Sequence, residues 1–319
     1  MILRYVFENG KLDEVEDQIL APILVCSEPD QIEKMFLQTH FDLGQHTLSS
    51  MLDENELPRI ENRDNKIVII CKHPMHMEMM EKDIEFGVMS LGLVIYENRL
   101  LLISNEPIAV KELVSPWAHV EDVRDVLIQA LHRSTMHFHE HLRCINLAMD
   151  QLEETLEELV NEPVASQQLK NLFSFSKSMT YYANAVNGNN VLMERIYNNT
   201  QKLGFNDNQK EVLDDIRLDS AQCCQEAQII TTVITKMTDA RISLMGNNMS
   251  ILMKRLTIIS LMMMPMNLIA GIGGMSEFTA FSENYLHMPM SVSYPLLFLM
   301  LGIVGILTYL VLAKLGLLK

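Results

Sequence analysis

Apolar and polar positions change their rhythm twice along this chain. Up to about residue 118 the apolar runs are short and bounded by turn residues. Residues 66–71 (Lys-Ile-Val-Ile-Ile-Cys) form a β-branched run, and 91–95 and 100–104 flank Tyr96-Glu97-Asn98-Arg99 as the arms of a hairpin. Between them and the N-terminus, the segment around 29–45 places Ile32, Met35 and Phe36 on one side of a helix. Pro107 and Pro116 punctuate the exit from this mixed α/β region. From His119 to Val160 the spacing becomes helical, with Val123, Val126, Leu127, Ala130 and Leu131 at i, i+3, i+4 intervals. An acidic stretch at 150–158 ends that helix, Pro163 closes it, and a further helix is predicted over 166–197.

The second change comes at Asp207. From there to Met264 the sequence has no proline and one glycine, Gly246. Ile216, Cys223, Ile230, Met237 and Leu244 recur every seven residues, with Ser220, Ala227 and Ile234 four places after the first three. This pattern predicts one helix on the order of 80 Å long at about 1.5 Å per residue. It runs without a break into the first of two uncharged apolar segments, 256–276 and 288–313. About 20 apolar residues suffice to cross a bilayer, so both can span. The expected architecture is α+β. An acidic cytoplasmic α/β and helical-hairpin domain occupies 1–205 and a stalk helix 206–255. A membrane domain occupies 256–319, with spans at about 256–275 and 290–313 joined by an outer loop at 276–289.

Charge sharpens the division. The net charge is −16. From residue 251 onward Lys254, Arg255, Lys314 and Lys319 face Glu277 and Glu283, a net of +2, so the remainder carries −18. Such a body lacks the basic patch that nucleic acid requires and concentrates cations instead. The basic residues flank the two spans and none lies between them, which by the positive-inside rule puts both termini in the cytoplasm. Cys26, Cys71, Cys144, Cys223 and Cys224 show no paired spacing, as in a reducing compartment. The N-terminus has no secretion-leader pattern. No phosphate loop, nucleophile elbow or zinc-protease motif is present, so an enzyme is not expected.

On the first span Met253, Leu256, Ser260, Met264, Asn267, Gly271 and Gly274 share one helical face. Asn267 is the strongly polar residue at mid-span, and a buried amide in hydrocarbon costs several kcal/mol unless satisfied. Two readings stay open: helix–helix glue, or a wet path around an axis of several copies. Two spans cannot enclose a conduit, so the second needs an oligomer. Pro265 is expected to loosen the helix there. Two histidine features read as structural. His137 and His141, one turn apart beside His132 and His139, show no third ligand by spacing. The tract His73-Pro74-Met75-His76-Met77-Glu78-Met79-Met80 reads as a loop or strand end in a methionine-rich chain. Cys223-Cys224 at the seam reads as a pair of small hydrophobes.

Residues 253–260, Met264-Pro265 and Leu268-Ile269-Ala270-Gly271-Ile272-Gly273-Gly274-Met275-Ser276 resemble the first membrane helix of the CorA superfamily of divalent-cation transporters, as do Asn247-Asn248-Met249 and Tyr294-Pro295 around it. The resemblance implies a funnel-shaped homopentamer in the inner (plasma) membrane, in contact with lipid and passing divalent cations. Met253, Leu256, Ser260, Met264, Asn267 and Gly271 then match pore-lining positions, with the methionines and leucine as hydrophobic constrictions. The outer-mouth signature is Gly274-Met275-Ser276, where the family has Gly-Met-Asn. Serine reaches less far than asparagine, which leaves Mg open against Zn, Co or Ni and brings the zinc-transporting branch into view. Glu277 and Glu283 match loop residues that attract cations, with His287 as a softer neighbour. Asp214 and Asp215 fall near a regulatory metal-binding carboxylate. Two alternatives follow from the altered signature: a non-transporting membrane scaffold or metal sensor, and proton-coupled zinc uptake.

Overall fold

The computed structural model describes residues 1–8, 10–15, 21–63, 66–75, 78–79, 84–108, 113–115, 119–158, 162–275, 280, 282–284, 287 and 289–314. Packing divides the chain into two units, Met1–Thr238 and Asp239–Lys319.

The first unit is built on a seven-stranded sheet of β1 (Ile2–Glu8), β2 (Lys11–Glu14), β3 (Ile23–Ser27), β4 (Arg59–Arg63), β5 (Lys66–Pro74), β8 (Val88–Tyr96) and β9 (Arg99–Ser104), in the order β2-β1-β3-β9-β8-β5-β4. The short strands β6 (Glu78–Met79) and β7 (Ile84–Glu85) pair with each other. The hairpin closes as the sequence predicts: Tyr96 pairs with Arg99, and Glu97 takes the left-handed backbone (φ 54°) that a two-residue turn needs. β3 lies parallel to β9, whereas the other neighbours in this sheet are antiparallel.

Alternation along the strands feeds two cores. Leu24, Cys26, Ile70, Val94 and Leu101 face helices α1 (Gln31–Phe41) and α2 (Gln45–Met51), meeting Leu37, Phe41, Leu48 and Met51. Asp30 caps α1 in a capping box with Glu33. On the other side Ile23, Val25, Ile69, Leu91, Leu93 and Leu102 face three long helices. These are α3 (Val123–Glu158), α4 (Glu162–Asn198) and, after the single turn α5 (Thr200–Leu203), α6 (Asp207–Gly273). Pro163 is the second residue of α4, where a missing N–H costs nothing, so it opens that helix.

Helix α6 is the element the heptads predict. Leu213 and Ile216 join the sheet-side core. Ser220, Cys223, Ala227, Ile230 and Ile234 then bury themselves, the apolar ones against Phe138, Leu142 and Ile145 of α3 and Phe175, Met179 and Tyr182 of α4. Burial lifts the Cys223 thiol to about 12, so it behaves as a small apolar group. The seam ends at Thr238, the last residue of the first unit. Leu244, the next heptad position after Met237, is exposed.

In the second unit, α6 and α7 (Met290–Lys314) are each long and apolar enough to cross a membrane. Helix α6 continues past Pro265 to Gly273, although proline supplies no N–H to Leu261. The two helices pack antiparallel. A Cβ on Gly305 would stand 3.1 Å from Met266 Sδ, and one on Gly273 2.5 Å from Leu297 Cδ2. Gly273 is therefore a close-approach glycine, whereas the same probe at Gly271 meets nothing within 4 Å.

Two outcomes are expected. Ile216→Ala should cost about 2–5 kcal/mol in chemical denaturation of the detergent-solubilised protein, because it removes a side chain that ties α6 to the sheet. Gly273→Val should destabilise the helical hairpin by about 1–3 kcal/mol. Adding Leu297→Ala should restore most of that loss, whereas Gly271→Ala alone should change hairpin stability little.

Candidate functional site

The sequence nominates one face of α6, and the helical hairpin sorts that helix into sides. Ile258, Met262, Pro265, Met266 and Ile269 are partly covered and Gly273 is buried. At about 100° per residue these six positions fall on one side of the helix. Met253, Leu256, Ser260, Met264, Asn267 and Gly271 fall on the opposite side. All six are exposed in the single chain, Met264 at 71% and Leu256 at 59%. Within the C-terminal unit, the face carrying the amide and the hydroxyl is thus turned away from the helix that packs on α6. It holds hydrogen-bonding groups at two levels, Ser260 and Asn267, between wider apolar side chains.

Of the signature, Gly274 and Met275 lie just past the end of α6 and are exposed. The Gly274 N–H donates to the Ala270 carbonyl at 3.0 Å, and that of Met275 to the Ile272 carbonyl at 3.2 Å. Ser276 and Glu277 lie outside the described residues. Glu283 and His287 are exposed, and His287 has a left-handed backbone (φ 51°).

The two stalk aspartates separate. Asp214 Oδ1 accepts from Arg217 Nε at 2.9 Å and Nη2 at 2.7 Å, and Arg217 also donates to Glu194 at 3.0 Å. Asp214 is thereby committed within its own chain. Asp215 is exposed, and among the described residues it has no ion-pair partner.

The structure also joins two histidine features that the sequence reading kept apart. His73 on β5 and His137 on α3 have ring centres 5.3 Å apart. His76, Met77 and Met80 of the first tract lie outside the described residues. Spacing could not reveal the approach, because it follows from α3 crossing the sheet. The signals present were His73, two residues beyond the β-branched run 66–71, and a separate histidine-dense helix at 132–141.

Comparison with known proteins addresses the whole chain. Residues 23–314 match the family described as CorA-like Mg2+ transporter protein. A cobalt/magnesium transport protein CorA from Methanocaldococcus jannaschii is 26% identical over 275 residues, 83% of each chain. The complete structure of the CorA magnesium transporter from that organism superposes with a TM-score of 0.71 at 18% identity, covering 99% of this chain and 96% of that one. The full-length CmaX protein superposes with a TM-score of 0.68 at 15% identity, covering 99% and 98%. The mixed sheet, the long helices and the two C-terminal apolar helices thus recur over full length, as the sequence predicts, and with the family match this chain belongs to the CorA-like family of divalent-cation transporters.

Proposed function

We propose that this protein assembles as a homopentamer in the inner (plasma) membrane and passes divalent cations along an axis lined by Met253, Leu256, Ser260, Met264, Asn267 and Gly271. The observation that carries this reading is the placement of Asn267, exposed on the side of α6 turned away from α7. In hydrocarbon that amide would cost several kcal/mol. Around a wet axis it offers a carbonyl oxygen and an N–H pair to a hydrated ion. Rings of Met253, Leu256 and Met264 would form constrictions that close by dewetting.

In this reading 1–205 is the cytoplasmic domain, 206–255 the stalk and 256–319 the membrane domain. Both termini lie inside and 276–289 faces out, as the flanking Lys254, Arg255, Lys314 and Lys319 favour. The Gly274-Met275-Ser276 mouth and the carboxylates of Glu277 and Glu283 would receive the ion. Mg2+ sheds water reluctantly and is suited to being held through its hydration shell. A serine ring, with shorter side chains than asparagine, grips that shell less firmly and leaves room for Co, Ni or Zn as cargo. Cobalt and magnesium are what the name of the Methanocaldococcus relative states for that protein. Asp215 is the better regulatory carboxylate of the pair, because Asp214 is already neutralised by Arg217. Bound cation at Asp215 would relieve repulsion between acidic stalks and favour the closed state.

Asn267→Leu should abolish cation uptake into proteoliposomes while the oligomer stays intact by size exclusion; unchanged uptake would remove Asn267 from the path. Running the assay with Mg2+, Co2+, Ni2+ and Zn2+, with and without a pH gradient, decides the cargo. Flux of none of them would identify a scaffold or sensor, and zinc entry driven only by the gradient would identify proton coupling. Asp215→Ala should shift the metal concentration that half-inhibits flux upward, on the order of tenfold, with Asp214→Ala shifting it less. Coincident inhibition curves for wild type and Asp215→Ala would place regulation elsewhere.

A further inference from the structure

A cavity of about 920 Å³ lies in the first unit between the end of β5 and helices α3 and α4. Its wall carries the imidazoles of His73, His137 and His141, the thioethers of Met75 and Met89, and the carboxylate of Glu140. Glu106 stands on the same wall. These are the nitrogen and sulfur donors that borderline and soft cations prefer.

His73 is the anchor. It is 2% exposed, and its Nδ1 is buried with no hydrogen-bond partner among the described residues. An unmet ring nitrogen in a protein interior is costly to keep and calls for a reason. The backbone beside it is rigidly held. The Asn189 side chain of α4 accepts from the Lys72 N–H at 2.8 Å and donates to the Lys72 carbonyl at 2.7 Å, and Ser134 of α3 donates to that carbonyl at 2.9 Å. His73 itself pairs in register with Met89 across the β5–β8 ladder.

The spacing fits a shared ion. The His73 and His137 rings are 5.3 Å apart between centres, tilted by 58°. Two imidazoles on one tetrahedral zinc, with Zn–N bonds of about 2.0–2.1 Å, have ring centres about 5 Å apart. His141 follows His137 by one helical turn. Among the described residues no three ligating side chains already surround a common point, so binding requires the partly exposed His137 or His141, or the exposed Glu140, to rotate. Arg133 Nη2 donates to His137 Nε2 at 3.5 Å, a contact that an ion bound through that nitrogen would displace, and the carboxylates of Glu140 and Glu106 on the same wall supply negative charge.

We propose that this cavity is a binding site within one chain for a transition-metal dication of the zinc, cobalt or nickel type, held by His73 and His137 with His141 or Glu140 completing the set. It is distinct from the α6 face and from Asp215 in position and in donor chemistry, and it does not depend on the conduit reading.

The test titrates Co2+ into the full-length protein in detergent, following the ligand-field spectrum and calorimetry. Wild type should show a tetrahedral, nitrogen-ligated cobalt that stoichiometric Zn2+ displaces and a large excess of Mg2+ does not. His137→Ala and His141→Ala, both at partly exposed positions, should each weaken that binding at least about tenfold, with His46→Ala as an unaffected exposed control. Zn2+ should raise the melting temperature of wild type and raise it less in His137→Ala, which separates lost binding from lost folding. Absence of a tetrahedral spectrum, displacement by Mg2+, or equal affinity in wild type and both helix variants would overturn the site. Flux measurements leave this result untouched, so failure of the site and failure of the conduit are read separately.

Discussion

Helix α6 has to satisfy two environments with one row of side chains, and the rest of the molecule is arranged around the point where they meet. Up to Thr238 its seam is covered by α3, α4 and the sheet. Beyond Thr238 it presents Ile242, Leu244, Met249, Leu252 and Leu256 uncovered. Exposed apolar side chains in such number call for another cover. Lipid serves the aliphatic side chains of α6 and α7 well. It does not serve Ser260 and Asn267, whose hydrogen bonds must be met by neighbouring protein or by water. The same helix therefore states both the need for a membrane and the need for something besides membrane on one side.

The hairpin with α7 limits which side that is. Gly273 against Leu297 and Gly305 against Met266 place small residues where backbones come close. The sequence reading grouped Gly271 and Gly274 with the polar face and passed over Gly273. In the structure the glycines divide their labour: Gly273 is spent on contact within the chain, and Gly271 stays clear of it. Two residues so close along one helix can have opposite roles because each successive residue turns about 100°.

What was legible followed from periodicity. The seven-residue repeat gave α6 and its buried seam, the i, i+3, i+4 stripe gave α3, and the β-branched runs gave β5, β8 and β9. Strands β1 to β4 escaped notice. β1 is only partly buried, so its apolar and charged residues do not sort cleanly by side. β3 is a five-residue run between Pro22 and Pro29, and its parallel pairing with β9 joins residues far apart in sequence, a relation no local pattern carries. Asp214 and Asp215 looked equivalent in the sequence. The pairing of Arg217 with Asp214, one turn along the same helix, tells them apart.

The placement of His73 shows how a sheet can prepare a site that sequence spacing conceals. β4 stops pairing with β5 at Ile70, so beyond that residue one edge of β5 has no strand neighbour among the described residues. Asn189 fills the gap by offering an amide to both backbone groups of Lys72, much as a strand would. The helix that supplies this amide is thereby fixed against the strand end, and Ser134 fixes α3 in the same way. Because the clamp acts on backbone groups, it holds position 73 in place without using the His73 side chain. The His73 imidazole is thus left buried, with its Nδ1 unpartnered among the described residues. The α6 face, by contrast, carries only amide, hydroxyl and thioether groups on a surface left open in the single chain. The proposed conduit face would meet an ion with amide and hydroxyl oxygens and the proposed cavity site with imidazole nitrogens, and hard and soft dications are sorted by the atoms that meet them.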